Sequence, residues 1–197
     1  MSENFSMKNI ISIILLFYLN LACLQADTII EINTTMGDIQ IELNPEKAPK
    51  TVANFLNYLE IGYYDGMIFH RVIDNFIIQS GSYDANFMIK DTMSPVRSEA
   101  TNGLENTKGT IAMARMADPH SADSQFFINL NNNSTLNHRA RTFSDYGYTV
   151  FGKIISGIDI ADAIGEVETA EIDGYEDVPV VPVIINTIKI LSRDDED

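Results

Sequence analysis

Phe69-His70-Arg71-Val72-Ile73-Asp74-Asn75-Phe76-Ile77-Ile78-Gln79-Ser80-Gly81 is the stretch on which the reading of this chain turns. Apolar, β-branched residues lie on either side of Asp74-Asn75, a pair suited to turns, so the segment reads as two strands and a turn. Arg71 stands in the first strand. Its guanidinium is always protonated and offers five donors in a fixed fork, which suits it to grip a carbonyl or amide without exchanging protons. Two readings stay open from these residues alone: a binding or catalytic group, or a strand-end arginine paired to a distant carboxylate.

The flanking sequence keeps the same short-strand character. Ile39-Gln40-Ile41-Glu42-Leu43 alternates apolar and polar residues, and with Thr28 to Asn33 and the turn Met36-Gly37-Asp38 it predicts an opening hairpin. Pro49 followed by Val52, Phe55, Leu56 and Leu59, with Gly62 beyond, predicts a helix with one apolar stripe. A shorter helix is expected at Ile158–Ile164, closed by Gly165. Further strands are expected at Met67–Val72, Phe76–Gln79, Thr110–Ala114, Gln125–Leu130, Val150–Ile155 and Val183–Leu191. In the last of these, Ile184, Ile188 and Ile190 are expected to share one face. About eight strands with two helices favour a mainly β fold, an antiparallel barrel or sandwich with the helices as lids.

With 197 residues, 45% hydrophobic and 21% charged, the chain fits one globular domain. A net charge of −15 argues against binding a nucleic-acid backbone. Ile10 to Ala22 is largely apolar and follows Lys8, which reads as the core of a signal peptide over residues 1–26 and not as a stable membrane span. Cleavage after Ala26 leaves a domain over 27–192 and an acidic tail over 193–197. Met7 is an alternative start to Met1. Cys23, the only cysteine, lies inside this leader, so the cleaved chain carries no thiol and suits an oxidising compartment. A second reading makes Cys23 a lipidated N-terminus.

Hydrolytic and metal signatures are missing. His70, His120 and His138 are isolated, and no H-E-x-x-H pair, G-x-S-x-G elbow or phosphate-binding glycine loop occurs. His70 is expected to be a hydrogen-bonded core or hairpin residue facing away from Arg71. Gly109-Thr110-Ile111-Ala112-Met113-Ala114-Arg115 and Ser124-Gln125-Phe126-Phe127-Ile128-Asn129 form a second notable pair of segments. Phe126 and Phe127 must face opposite sides of a strand, one into the core and one onto another surface; two core aromatics at a bend is the alternative. For Met113 the alternative reading is simple core filler, the usual use of a buried methionine.

Taken together, Ala48–Phe55, Phe69–Gly81, Asn102-Gly103-Leu104, Gly109–Arg115, Ser124–Ile128, Tyr148–Lys153 and the acidic loop before the last strand resemble the cyclophilin family of peptidyl-prolyl cis–trans isomerases, most closely its bacterial periplasmic branch. The resemblance implies an eight-stranded antiparallel β-barrel capped by two α-helices, acting on proline-containing polypeptides without a cofactor or metal. It makes Arg71 the catalytic arginine. Phe76, Ile77, Phe127 and Leu136 would hold the proline ring, with Met113 and Ala114 nearby. Gln79, Gln125 and the Arg115 main chain would hold the substrate backbone, and Tyr148 stands where many eukaryotic members carry histidine. Departures from the family pattern are Asp74-Asn75, Ser80 and Thr135, which replaces an aromatic residue and implies weak cyclosporin binding. A monomer exported to the periplasm is expected, with a eukaryotic secretory origin as the alternative; Asn33 and Asn133 would then head glycosylation triplets. The expected role is assisting the folding of exported proteins; a binding module without turnover is the competing functional class, and a chaperone acting chiefly through exposed hydrophobic surface is a third.

Overall fold

Alternation sets the first hairpin. The computed structural model describes residues 28–192. In β1 (Ile29–Thr34) and β2 (Gly37–Leu43) every second residue is buried, so Ile30 and Ile32 face the core beside Ile39, Ile41 and Leu43. The leader over residues 1–26, with Cys23 and the choice of start, and the tail over 193–197 lie outside the described residues.

The remaining strands are β3 (Arg71–Ile73), β4 (Ile77–Ser80), β5 (Thr110–Met113), β6 (Phe126–Asn129), β7 (Val150–Ser156), β8 (Thr169–Ile172), β9 (Tyr175–Pro179) and β10 (Ile185–Ser192). Eight of them form one antiparallel sheet in the order β10-β1-β2-β7-β5-β6-β4-β3. The sheet curls until its two ends meet. Ile68 bridges to Ile184, and the amides of Phe69 and Ile185 donate to the carbonyls of Val183 and Met67 at 3.0 and 2.7 Å. This is the expected mainly β, eight-stranded architecture with two helices.

Helix α1 (Pro49–Glu60) buries Val52, Phe55 and Tyr58 inside the curl, and α2 (Ile158–Gly165) adds Ala161 and Ile164 to the same core. Proline begins α1, where its missing N–H costs nothing. Ala48 supplies no side-chain cap, so the free N–H groups find a distant acceptor: Glu99 takes the amides of Lys50 and Thr51 and the Thr51 hydroxyl. Such a carboxylate at a helix start contributes about 1 kcal/mol. Tyr58, outside the expected apolar stripe, is fully buried because its hydroxyl reaches the Met93 amide at 2.7 Å.

Two expectations need correction. In β10 it is Ile185, not Ile184, that lies in the core with Ile188. The register against β1 shifts between Asn33 and Thr34, leaving Asn186 as an inserted residue that reverses which side chains point inward. The acidic segment before β10 is also more than a loop: β8 and β9 pair as a separate hairpin across Asp173-Gly174, both with positive φ. Its strands are mostly exposed, so no apolar alternation announces them.

Candidate active site

The outer face of the sheet carries one row of paired residues. Arg71 on β3 stands opposite Gln79 on β4, Gln79 opposite Phe127 on β6, Phe127 opposite Ala112 on β5, and Ala112 opposite Val150 on β7. Paired residues share a face, so a cation, an amide and an aromatic ring are delivered in line. Strand spacing places the Arg71 and Phe127 backbones about 10 Å apart, with Gln79 between them.

Phe127 lies at the centre of a second apolar cluster, separate from the core, with Ile77, Ala112 and Val150. Half-buried Phe76, Leu104, Ala114, Leu136 and Tyr148 pack around it. Its neighbour Phe126 points the other way, against Phe55 and Tyr64 with centroids 5.6 and 5.5 Å apart. Strand alternation thus sends one phenylalanine to the core and one to the outer pocket, as the sequence pattern predicts. Gln79 Nε2 donates to Gln125 Oε1 at 3.0 Å, placing both amides together beside that pocket.

The structure therefore gathers Arg71, Phe76, Ile77, Gln79, Ala114, Gln125, Phe127, Leu136 and Tyr148. Met113 does not join them. It belongs to the inner core, because on β5 only Ala112 faces outward between Ile111 and Met113. Arg115 is present, but its guanidinium is committed: it lies 4.7 Å over the Tyr148 ring and donates to the carbonyls of Gly147, Met116, Ala117 and Phe143. Tyr148 in turn meets Phe127 edge-on at 5.5 Å, so the Arg115 side chain braces the pocket wall.

The departures from the family pattern have local explanations. Asn75 takes φ +55°, which asparagine tolerates, and the Phe76 amide closes the turn on the Ile73 carbonyl. Ser80 faces inward, fully buried, and donates to the Ile68 carbonyl at 2.8 Å. Gly81 keeps the glycine that the backbone needs: φ is +94°, and a Cβ there would lie 2.6 Å from the Ser124 carbonyl oxygen. Thr135 is exposed in a 3-10 turn (Ser134–Leu136).

Two sets of supporting residues escaped the sequence reading. Asn106, Asn129 and Asn133 form a buried amide network in which Asn133 donates to the Phe76 carbonyl and Asn106 to the Leu136 carbonyl. It ties two pocket walls to β6. Asn133, read from its triplet as a glycosylation acceptor, is buried with its amide engaged. Asp177 on β9 approaches Arg71, its Oδ2 3.6 Å from Nε, so the arginine has a distant carboxylate partner as well as its place in the row.

His70 is buried beneath Tyr83, and its Nδ1 has no hydrogen-bond partner. Burial, then the Arg71 charge, lowers its pKa from 6.5 to about 4, partly offset by the Ile68 carbonyl. The unfolded chain consequently binds this proton first as pH falls. Stability is intact above pH 6.5 and declines towards pH 4, by up to about 3 kcal/mol from this group. Urea midpoints of wild type and His70→Gln, compared at pH 7 and pH 4.5, should show a smaller acid loss in the variant; equal losses would exclude His70.

The family model for cyclophilin-type peptidyl-prolyl cis-trans isomerases matches residues 29–190. A peptidyl-prolyl cis-trans isomerase of Streptomyces antibioticus is 51% identical over 162 residues, 82% of this chain and 98% of the relative. Isomerase B of Escherichia coli is 44% identical over 158 residues, covering 80% and 96%. A crystal structure of a Cryptosporidium parvum cyclophilin superposes with a TM-score of 0.67 at 27% identity, covering 85% of this chain and 99% of that one.

Proposed function

This chain belongs to the cyclophilin-type peptidyl-prolyl cis–trans isomerases, and we propose that it is an exported member whose outer-face pocket turns X-Pro bonds in newly secreted proteins. Its isomerase activity on proline-containing peptides follows from the family. The observation that carries the site reading is the row Arg71–Gln79–Phe127, which sets a permanent donor beside an apolar pocket.

Resonance gives the peptide bond a rotation barrier of about 18–20 kcal/mol, so the catalyst must favour the twisted state. In the proposed arrangement Phe76, Ile77, Phe127 and Leu136 seat the proline ring while the carbonyl side of the bond turns. As conjugation is lost, the proline nitrogen gains a localised lone pair, and Arg71 donates to it. That interaction is weak in the planar ground state and strong in the twisted one, the condition for lowering a barrier. Gln79 and Gln125 hold the substrate backbone as neutral amides and add no proton chemistry. No bond is made or broken.

Export is supported by the apolar Ile10–Ala22 run and by a cleaved chain free of thiols. The periplasm is the proposed compartment. Among the described residues no helix is long and apolar enough to cross a membrane. The enzyme is proposed to act as a monomer and, with threonine at position 135, to bind cyclosporin weakly. Expression in a Gram-negative host, fractionation and mass spectrometry of the N-terminus test export together. A periplasmic chain beginning at Asp27 supports it; an intact leader on a cytoplasmic chain overturns it. A lipidated Cys23 would replace free periplasmic enzyme by an anchored one.

A further inference from the structure

We propose that Asp177 is a positioning residue that aims Arg71 at the proline pocket; the inference rests on the reading of Arg71 given above. β3 lies at an end of the eight-stranded sheet, so the Arg71 side chain has a strand neighbour in that sheet on one side only. The β8–β9 hairpin fills the other side. From it Asp177 reaches the guanidinium, with its closest approach at Nε, the nitrogen nearest the aliphatic stem. A carboxylate held there restrains the side chain near its base, while the terminal nitrogens serve a ligand.

Three observations argue that this contact is built rather than incidental. Asp177 has φ +61°, a left-handed conformation that favours glycine, yet the position carries a carboxylate. The hairpin is pinned independently by Tyr175, whose ring packs on Tyr83 at 5.5 Å and Phe87 at 6.2 Å. Tyr83 also covers His70, the residue before Arg71. Finally, both partners are about 40% exposed (43% and 37%), and a pair so wet adds little to folding stability. Its effect is on the orientation of a long side chain with many rotamers.

Asp177→Asn tests this, because asparagine keeps the shape and tolerates the left-handed backbone. The expected result on an X-Pro peptide is a roughly ten-fold fall in kcat, equivalent to about 1.4 kcal/mol of barrier, with KM and melting temperature nearly unchanged. The NMR heteronuclear NOE of the Arg71 Nε–H should fall at the same time, reporting a looser guanidinium. Wild-type kcat in Asp177→Asn overturns the proposal, and so does a kcat loss with unchanged Arg71 mobility. Arg71→Ala, measured alongside, separates the two levels. If it is inactive while Asp177→Asn is normal, only the role of Asp177 falls; if Arg71→Ala is fully active, the site reading falls and takes Asp177 with it.

Discussion

Replacing Arg71 by alanine is expected to lower kcat/KM on an X-Pro peptide by about 10²- to 10³-fold, the range for loss of one preorganised donor in a shielded site. The guanidinium is the cation of the outer-face row, at its end beside Gln79, and the other members are an amide, an aromatic ring and two aliphatic side chains. Nothing else in the row carries a charge to stabilise a localised nitrogen lone pair. Arg71→Lys should recover only part of the loss, because a compact ammonium cannot reproduce the planar fork. The fold should tolerate either change. Arg71 is half-exposed, with Asp177 as its ion-pair partner, and such surface pairs contribute about 0–1 kcal/mol. Exchange spectroscopy on a proline peptide reads the rate, and a urea midpoint reads stability. Wild-type exchange in a folded Arg71→Ala protein would remove the arginine from the mechanism.

Much of this site was legible in the sequence because it sits on strands, where a period of two fixes the facing of every residue. Once Arg71, Gln79 and Phe127 are given to neighbouring antiparallel strands, alternation puts them on one face. The same rule corrects the one misplaced member. Met113 is adjacent in sequence to Ala112 and Ala114, but its parity on β5 turns it into the core. Alternation failed at one end of β10 for a definite reason: the bulge at Asn186 adds one residue, so Ile188 and Ile190 face inward as expected while before the bulge the inward position passes from Ile184 to Ile185.

What stayed hidden depends on contacts distant in sequence. Asp177 lies over one hundred residues from Arg71, on an exposed acidic hairpin with no apolar pattern. The Asp173-Gly174 pair was the local clue to that hairpin, since both residues suit the positive φ of a tight turn. The buried asparagines gave a weaker signal still. Asn131-Asn132-Asn133 reads as polar loop, and only the assembled fold shows Asn133 holding the Phe76 carbonyl while Asn129 accepts from it. Glu99 capping α1 belongs to the same class. A hydrogen bond between distant segments leaves no periodicity to read.

Phe126 and Phe127 offer the sharpest separation of folding from function, since they are adjacent, chemically identical and both buried. Phe126 meets the rings of Phe55, Tyr64 and Phe69 edge-on in the core. Phe126→Ala should cost about 3–5 kcal/mol, because those rings are fixed by their own neighbours and cannot collapse into the gap. The fraction that remains folded should keep kcat/KM within a few-fold of wild type. Phe127 instead packs among half-buried side chains, Phe76, Leu136 and Tyr148, which can relax towards the vacated space. Its truncation should therefore cost less stability, about 2 kcal/mol. Yet it removes the ring at the centre of the proposed proline pocket. The loss should appear chiefly as a raised KM, about ten-fold or more, since a contact to the proline ring persists through the rotation and binds both ground and twisted states. Denaturant midpoints and steady-state kinetics on the two variants decide the matter. If Phe126→Ala raises KM as much as Phe127→Ala at equal folded fraction, the outer face is not where proline binds.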